Sequence, residues 1–108
     1  MKKFEVYEVS VQMIRELAGI IEQIARRDDS LANQTRRAAQ SVVLCIAEGN
    51  KRVGRDRMHL FRIAAGSAGE TRAALEIARA WRYAPDATIE PVLGTIDRVI
   101  AMLFRLSR

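Results

Sequence analysis

The side chains able to do chemistry are few in this sequence. There is one histidine, His59, and one cysteine, Cys45. A lone cysteine can neither close an internal disulfide nor build a four-ligand structural zinc site, and its apolar surroundings make Cys45 a small core residue. A di-metal carboxylate centre in a helical bundle needs Glu-x-x-His pairs; His59 instead follows Asp56. "RIAAGSAGE" at 62–70 has the glycine content of a phosphate cradle, but Gly66-Ser67-Ala68-Gly69-Glu70 lacks the glycine spacing and the Lys-Ser/Thr that bind phosphate and magnesium, and ends in a carboxylate. No cofactor is expected. Arg52 precedes His59 by six intervening residues, close to the Arg-to-His spacing of some helical ribonucleases. A glycine-containing turn separates the two here, which argues against one catalytic helix. The expectation is a protein that is not an enzyme.

What remains is charge. The 108 residues carry 15 arginines and three lysines against 13 acidic groups, a net charge of +5. Such a balance attracts polyanions through phosphate neutralisation without base reading. Lys51, Arg52, Arg55, Arg57 and Arg62 gather around one connection, making them candidate contacts for nucleic acid or a nucleoprotein partner. No aromatic residues interleave this cluster, so base stacking is not expected there. The alternative is a purely structural or protein-binding accessory oligomer.

Hydrophobic periodicity supplies the scaffold. Val6, Val9, Met13, Leu17, Ile20 and Ile24 recur at three- and four-residue steps, predicting a helix that ends near Arg27. Asp28-Asp29-Ser30 offers caps for a second helix from Leu31, with Leu31, Ala38, Val42, Cys45, Ile46 and Gly49 inward, ending between Gly49 and Arg52. Asp56 is a plausible cap for a third, whose inward stripe is Leu60, Ile63, Ala64, Ser67, Thr71, Ala74, Leu75, Ala78 and Trp81, stopping before Pro85. A fourth begins near Thr88 or Glu90, with Pro91 in its first turn. Short connections make neighbours antiparallel, so the expected fold is an all-α, up-down-up-down four-helix bundle forming one domain over residues 1–108. On the fourth helix, apolar residues from Ile89 to Leu106, with Phe104 included, cover an arc of about 160°, which Met102 extends, more than the roughly 100° a bundle helix buries. The excess suggests a subunit interface. Pairing the second and third helices about their turn makes facing residue numbers sum to about 107. This places Ser41 opposite Gly66, Arg37 opposite Glu70 and Glu48 opposite His59, with an Arg37–Glu70 ion pair expected and Gly66 and Ser67 allowing close helix approach.

No stretch reaches the roughly 18 to 20 uncharged residues that span a bilayer, and Glu5 and Glu8 interrupt any leader-like apolar run. A cytoplasmic location without membrane association is expected.

Together, Leu31 to Val42 with Gln34, Arg36, Arg37 and Ser41, then Ile46-Ala47-Glu48-Gly49 with Arg52, then Phe61 to Glu70 with Gly66, Ser67 and Glu70, then Leu75 to Ala78, resemble the four-helix-bundle family named after the 23S ribosomal RNA intervening-sequence protein. The likeness covers helices two and three, and "IAEG" followed by "GSxxE" is its most specific part. The resemblance implies an antiparallel bundle assembling into a ring-like homopentamer. It also implies kinship with the accessory variability determinant of diversity-generating retroelements, a basic pentamer that binds a reverse transcriptase and nucleic acid. It marks Arg37, Ser41, Glu48, Gly49, Gly66, Ser67 and Glu70 as structural motif residues. The family's usual asparagine before "IAEG" is Cys45 here, which removes any hydrogen bond that amide would make.

Overall fold

The structure, a computed structural model, describes residues 3–107. Met1, Lys2 and Arg108, included in the 1–108 domain reading, lie outside them. Four helices follow in order: α1 (Lys3–Ala25), α2 (Asp29–Asn50), α3 (Gly54–Ala80) and α4 (Asp86–Leu106). α1 packs on α2 and α4, and α3 packs on α2 and α4, so the helices stand at the corners of a square with each chain neighbour alongside. Because α1 neighbours α4 and α2 neighbours α3, the α1/α2 and α3/α4 faces are opposite sides of the bundle.

The stripes that define each helix meet on the bundle axis. Met13, Leu17, Ile20 and Ile24 from α1, Val42 and Ile46 from α2, Phe61, Ala64, Ala68 and Leu75 from α3, and Ile89, Ile96, Val99 and Leu103 from α4 are all within 1% of complete burial. Each large aliphatic side chain removed from water in this way contributes about 1.5–3 kcal/mol before the entropy of ordering is subtracted. Three buried hydroxyls cost little because each bonds back within its own helix: Ser10 Oγ donates to Tyr7 O, Thr35 Oγ1 to Leu31 O and Thr71 Oγ1 to Ser67 O.

Helix boundaries follow from local chemistry. Asp28 Oδ1 accepts from Leu31 N at 2.9 Å, capping α2. Asp56 is not the cap of α3: the helix starts earlier, at Gly54, with extended Val53 as N-cap and no side-chain cap bond, and Asp56 lies in its first turn. α4 also starts before the position periodicity suggests, because the Pro85 carbonyl accepts from Thr88 N and Ile89 N and closes a turn there. Pro91 therefore lies in the second turn. α3 ends in a Schellman motif, with Tyr83 N donating to Ala78 O at 2.8 Å, Arg82 N to Arg79 O at 3.0 Å, and Arg82 in the left-handed region at φ 61°.

Three core expectations need correction. Ile63, expected in the inward stripe of α3, is exposed. Trp81 is two-thirds exposed because the helix stops at Ala80 and the chain reverses, whereas Phe61, absent from the predicted stripe, is completely buried. The wide apolar arc of α4 is consumed largely within the chain: Ile89, Val92, Leu93, Ile96, Val99, Met102 and Leu103 are all buried, leaving Phe104 exposed and Ile100 and Leu106 partly so.

Candidate nucleic-acid interface

The basic cluster sits where α2 hands over to α3. Lys51 N donates to Glu48 O and Arg52 N to Gly49 O, which tightens the end of α2; Val53 is extended, and Gly54 turns the chain at φ 60°, in the left-handed region that favours glycine. This tight reversal brings Lys51, Arg52 and Arg55 to one end of the bundle. Exposed Arg105, in the last turn of α4, joins the same end by antiparallel geometry.

The five candidates divide by what they touch. Arg52 bonds Glu48 at 3.0 Å and reaches Asp56 at 4.0 Å. Arg57 Nε donates to Gly49 O at 3.3 Å, and Arg62 Nη2 makes a long 3.5 Å bond to Ser107 O. Each of these two cations thus sits on carbonyls at a helix C-terminus, where the helix dipole favours positive charge. Lys51 and Arg55 are exposed and enter no ion pair among the described residues. The two acidic groups nearest the turn are held by Arg52, so they do not cancel these two charges locally.

The motif residues behave differently from one another. Ser41 Oγ lies 2.9 Å from Ser67 Oγ, so α2 and α3 are in register one residue from the expected pairing, with Ser67 rather than Gly66 opposite Ser41. Ser41 Oγ also lies 3.8 Å from the Cys45 sulfur, which gives the thiol a polar neighbour in place of an amide contact. Gly66 is not a packing glycine. It is exposed, and a Cβ there would meet nothing within 4 Å; the same is true of Gly69. The close approach is at Gly49, where a Cβ would lie 2.6 Å from Phe61 Cε1. Arg37 and Glu70 are both exposed, and the expected ion pair between them is not formed. Glu48 pairs with Arg52, and His59 is exposed on α3.

Two features escaped the sequence reading. Arg72 bridges α3 to Asp97 on α4 at 2.8 Å and approaches Glu76, which also holds Arg79, itself linked to Glu90. The hydrogen bond and charge of Asp97 raise the Arg72 pKa above its ordinary value. A cation with a raised folded pKa contributes stability below its unfolded pKa and loses it as pH rises through the folded pKa, so Arg72's side of this linkage is complete at neutral pH and is lost in strong alkali. At the opposite end of the bundle, Trp81 and Tyr83 stack with ring centroids 6.4 Å apart, and the Arg27 guanidinium lies 5.7 Å from the Tyr83 centroid. Neither was legible, since each joins residues from different elements.

Among the described residues no cluster of His, Cys, Asp and Glu could hold a metal ion, and no helix is long and apolar enough to cross a membrane. Residues 2–105 match the 23S rRNA-intervening sequence protein family, and the chain belongs to that family. Its fold is similar to that of a protein of unknown function from the S23 ribosomal protein family of Bacteroides thetaiotaomicron, with a TM-score of 0.87 at 18% identity, covering 95% of this chain and 98% of that one. No curated protein matches the chain.

Proposed function

We propose that this member of the 23S rRNA-intervening sequence protein family is a non-enzymatic, basic, ring-forming scaffold that binds nucleic acid, or a nucleoprotein partner, through the α2–α3 end of its bundle. The observation that carries the reading is the pair Lys51 and Arg55, exposed and without ion pairs on a chain of net charge +5. Phosphates attracted there would release counterions, and the contact would be independent of base sequence. A ring of such ends would multiply a weak contact through effective concentration.

Two unlike apolar surfaces support ring assembly. An apolar groove along α1 and α2 is lined by Val11, Ile14, Val43 and two-thirds-exposed Leu44. On the opposite side, Ala65, Ile100 and exposed Phe104 line a second groove between α3 and α4. Two different patches on opposite sides suit head-to-tail association, which gives a ring when the rotation between copies closes, better than a two-fold dimer built from one self-complementary patch. Homopentamer formation is the closure implied by the family resemblance. Polyanion binding with and without Lys51→Glu and Arg55→Glu tests the binding role. Light scattering of the purified chain tests the assembly.

A further inference from the structure

The far end of the bundle carries a second surface with a different chemistry. Trp81 is 66% exposed although it is the bulkiest side chain in the molecule, and its ring lies within 17° of parallel to Tyr83. Arg27, from the α1–α2 turn, stacks on Tyr83 and ties the two turns together. The rings are displayed by the backbone. Arg82, between them in sequence, takes φ 61°, a conformation costly for any residue with a Cβ, and the Schellman bonds around it hold Trp81 and Tyr83 in place. Glycine would serve that turn better, yet the position holds a cation. Beside Tyr83 an open cleft of about 570 Å³ is lined by Arg79, Arg82, Pro85 and Asp86, within the size range of ligand sites. Arg79 is occupied by Glu76 and Glu90. Exposed Arg26, Arg27 and Arg82 have no ion pair among the described residues, with Asp29 and Asp86 the acidic groups of the two turns and Asp28 engaged as the α2 cap.

We infer that Trp81 and Tyr83 form a stacking platform for unpaired bases of single-stranded nucleic acid, with Arg82 and Arg26 positioned for its phosphates. An exposed indole beside uncommitted arginines fits this ligand better than an apolar protein surface, because stacking accepts any base while the cations need an anionic chain. Duplex bases, already stacked on each other, offer the rings nothing. The inference rests on the proposed polyanion binding for the class of ligand, but its site lies at the other end of the bundle and its readout is separate.

Trp81 is the only tryptophan in the chain, so its emission reports the platform directly. The full chain is titrated with a short oligouridylate and with duplex RNA, following tryptophan emission and, in parallel, the anisotropy of labelled RNA. Oligouridylate is expected to quench Trp81 and duplex RNA to leave it unchanged. Trp81→Ala should weaken single-strand binding by about 5- to 150-fold without affecting duplex binding, and Trp81→Phe should retain most of the affinity. Equal binding of both RNAs with unquenched emission would overturn the platform and leave the α2–α3 interface standing. No binding of either RNA at low salt would overturn both. Burial of Trp81 on raising protein concentration alone would assign the ring to a contact between protein molecules, and would also overturn the inference.

Discussion

The ring of Phe61 lies against the backbone of Gly49, so close that a Cβ at Gly49 would come within 2.6 Å of Cε1 and 2.8 Å of Cδ1. Phe61 is completely buried, so its ring cannot swing out to solvent without losing its core packing. Gly49→Ala should therefore destabilise the fold by about 1–3 kcal/mol through overpacking. Gly66→Ala, the same substitution on an open helical surface, should stabilise the monomeric bundle by about 0.5–1 kcal/mol. Urea unfolding of both variants checks the opposite signs.

Ser41 and Ser67 join α2 to α3 through their two hydroxyls, 2.9 Å apart. Removing either hydroxyl should cost about 0.5–1.5 kcal/mol, while the Ser41→Ala/Ser67→Ala double variant should cost less than the sum, because neither partner is then left unsatisfied. A double-mutant cycle by denaturant unfolding measures the coupling; strict additivity would mean the bond contributes nothing.

Arg82 occupies a left-handed position that glycine fills without a steric penalty. Arg82→Gly should raise stability by about 0.5–1 kcal/mol and Tm by a few degrees. The same variant, having lost a cation beside Trp81 and Tyr83, should also lower the salt dependence of single-strand binding. Calorimetry and anisotropy on one preparation separate the two effects.

Head-to-tail assembly makes a prediction that a two-fold interface does not. Leu44→Glu damages the α1/α2 face and leaves the α3/α4 face whole; Phe104→Glu does the reverse. Each variant alone should be monomeric by light scattering, and an equimolar mixture should form dimers through its one intact pair of faces.

Four helices, their order and the family were legible because three- and four-residue periodicity and the "IAEG" and "GSxxE" motifs lie within single segments. Helix register came within one residue, since a short turn leaves little freedom: Ser41 was placed opposite Gly66 and meets Ser67. The expected Arg37–Glu70 pair is nonetheless absent: level placement along the axis does not by itself bring two long, exposed side chains together. Glycine content misled for a related reason. The "RIAAGSAGE" glycines face outward, whereas Gly49, in a motif with less glycine, takes the close contact. The basic candidates could be found by composition, but only coordinates reveal that Arg57 and Arg62 bind helix C-terminal carbonyls while Lys51 and Arg55 remain uncommitted. The Trp81–Tyr83–Arg27 cluster is built from two turns more than fifty residues apart, and no local pattern encodes it.

The central claim is that the α2–α3 end binds a polyanion, and the most direct measurement is the affinity of labelled RNA and DNA duplexes as salt rises from about 50 to 200 mM. The account predicts a linear fall of log affinity with log salt, and a shallower slope with weaker binding in Lys51→Glu/Arg55→Glu at unchanged stability. Binding that ignores salt, fails to appear at low ionic strength, or is the same in that variant would contradict it.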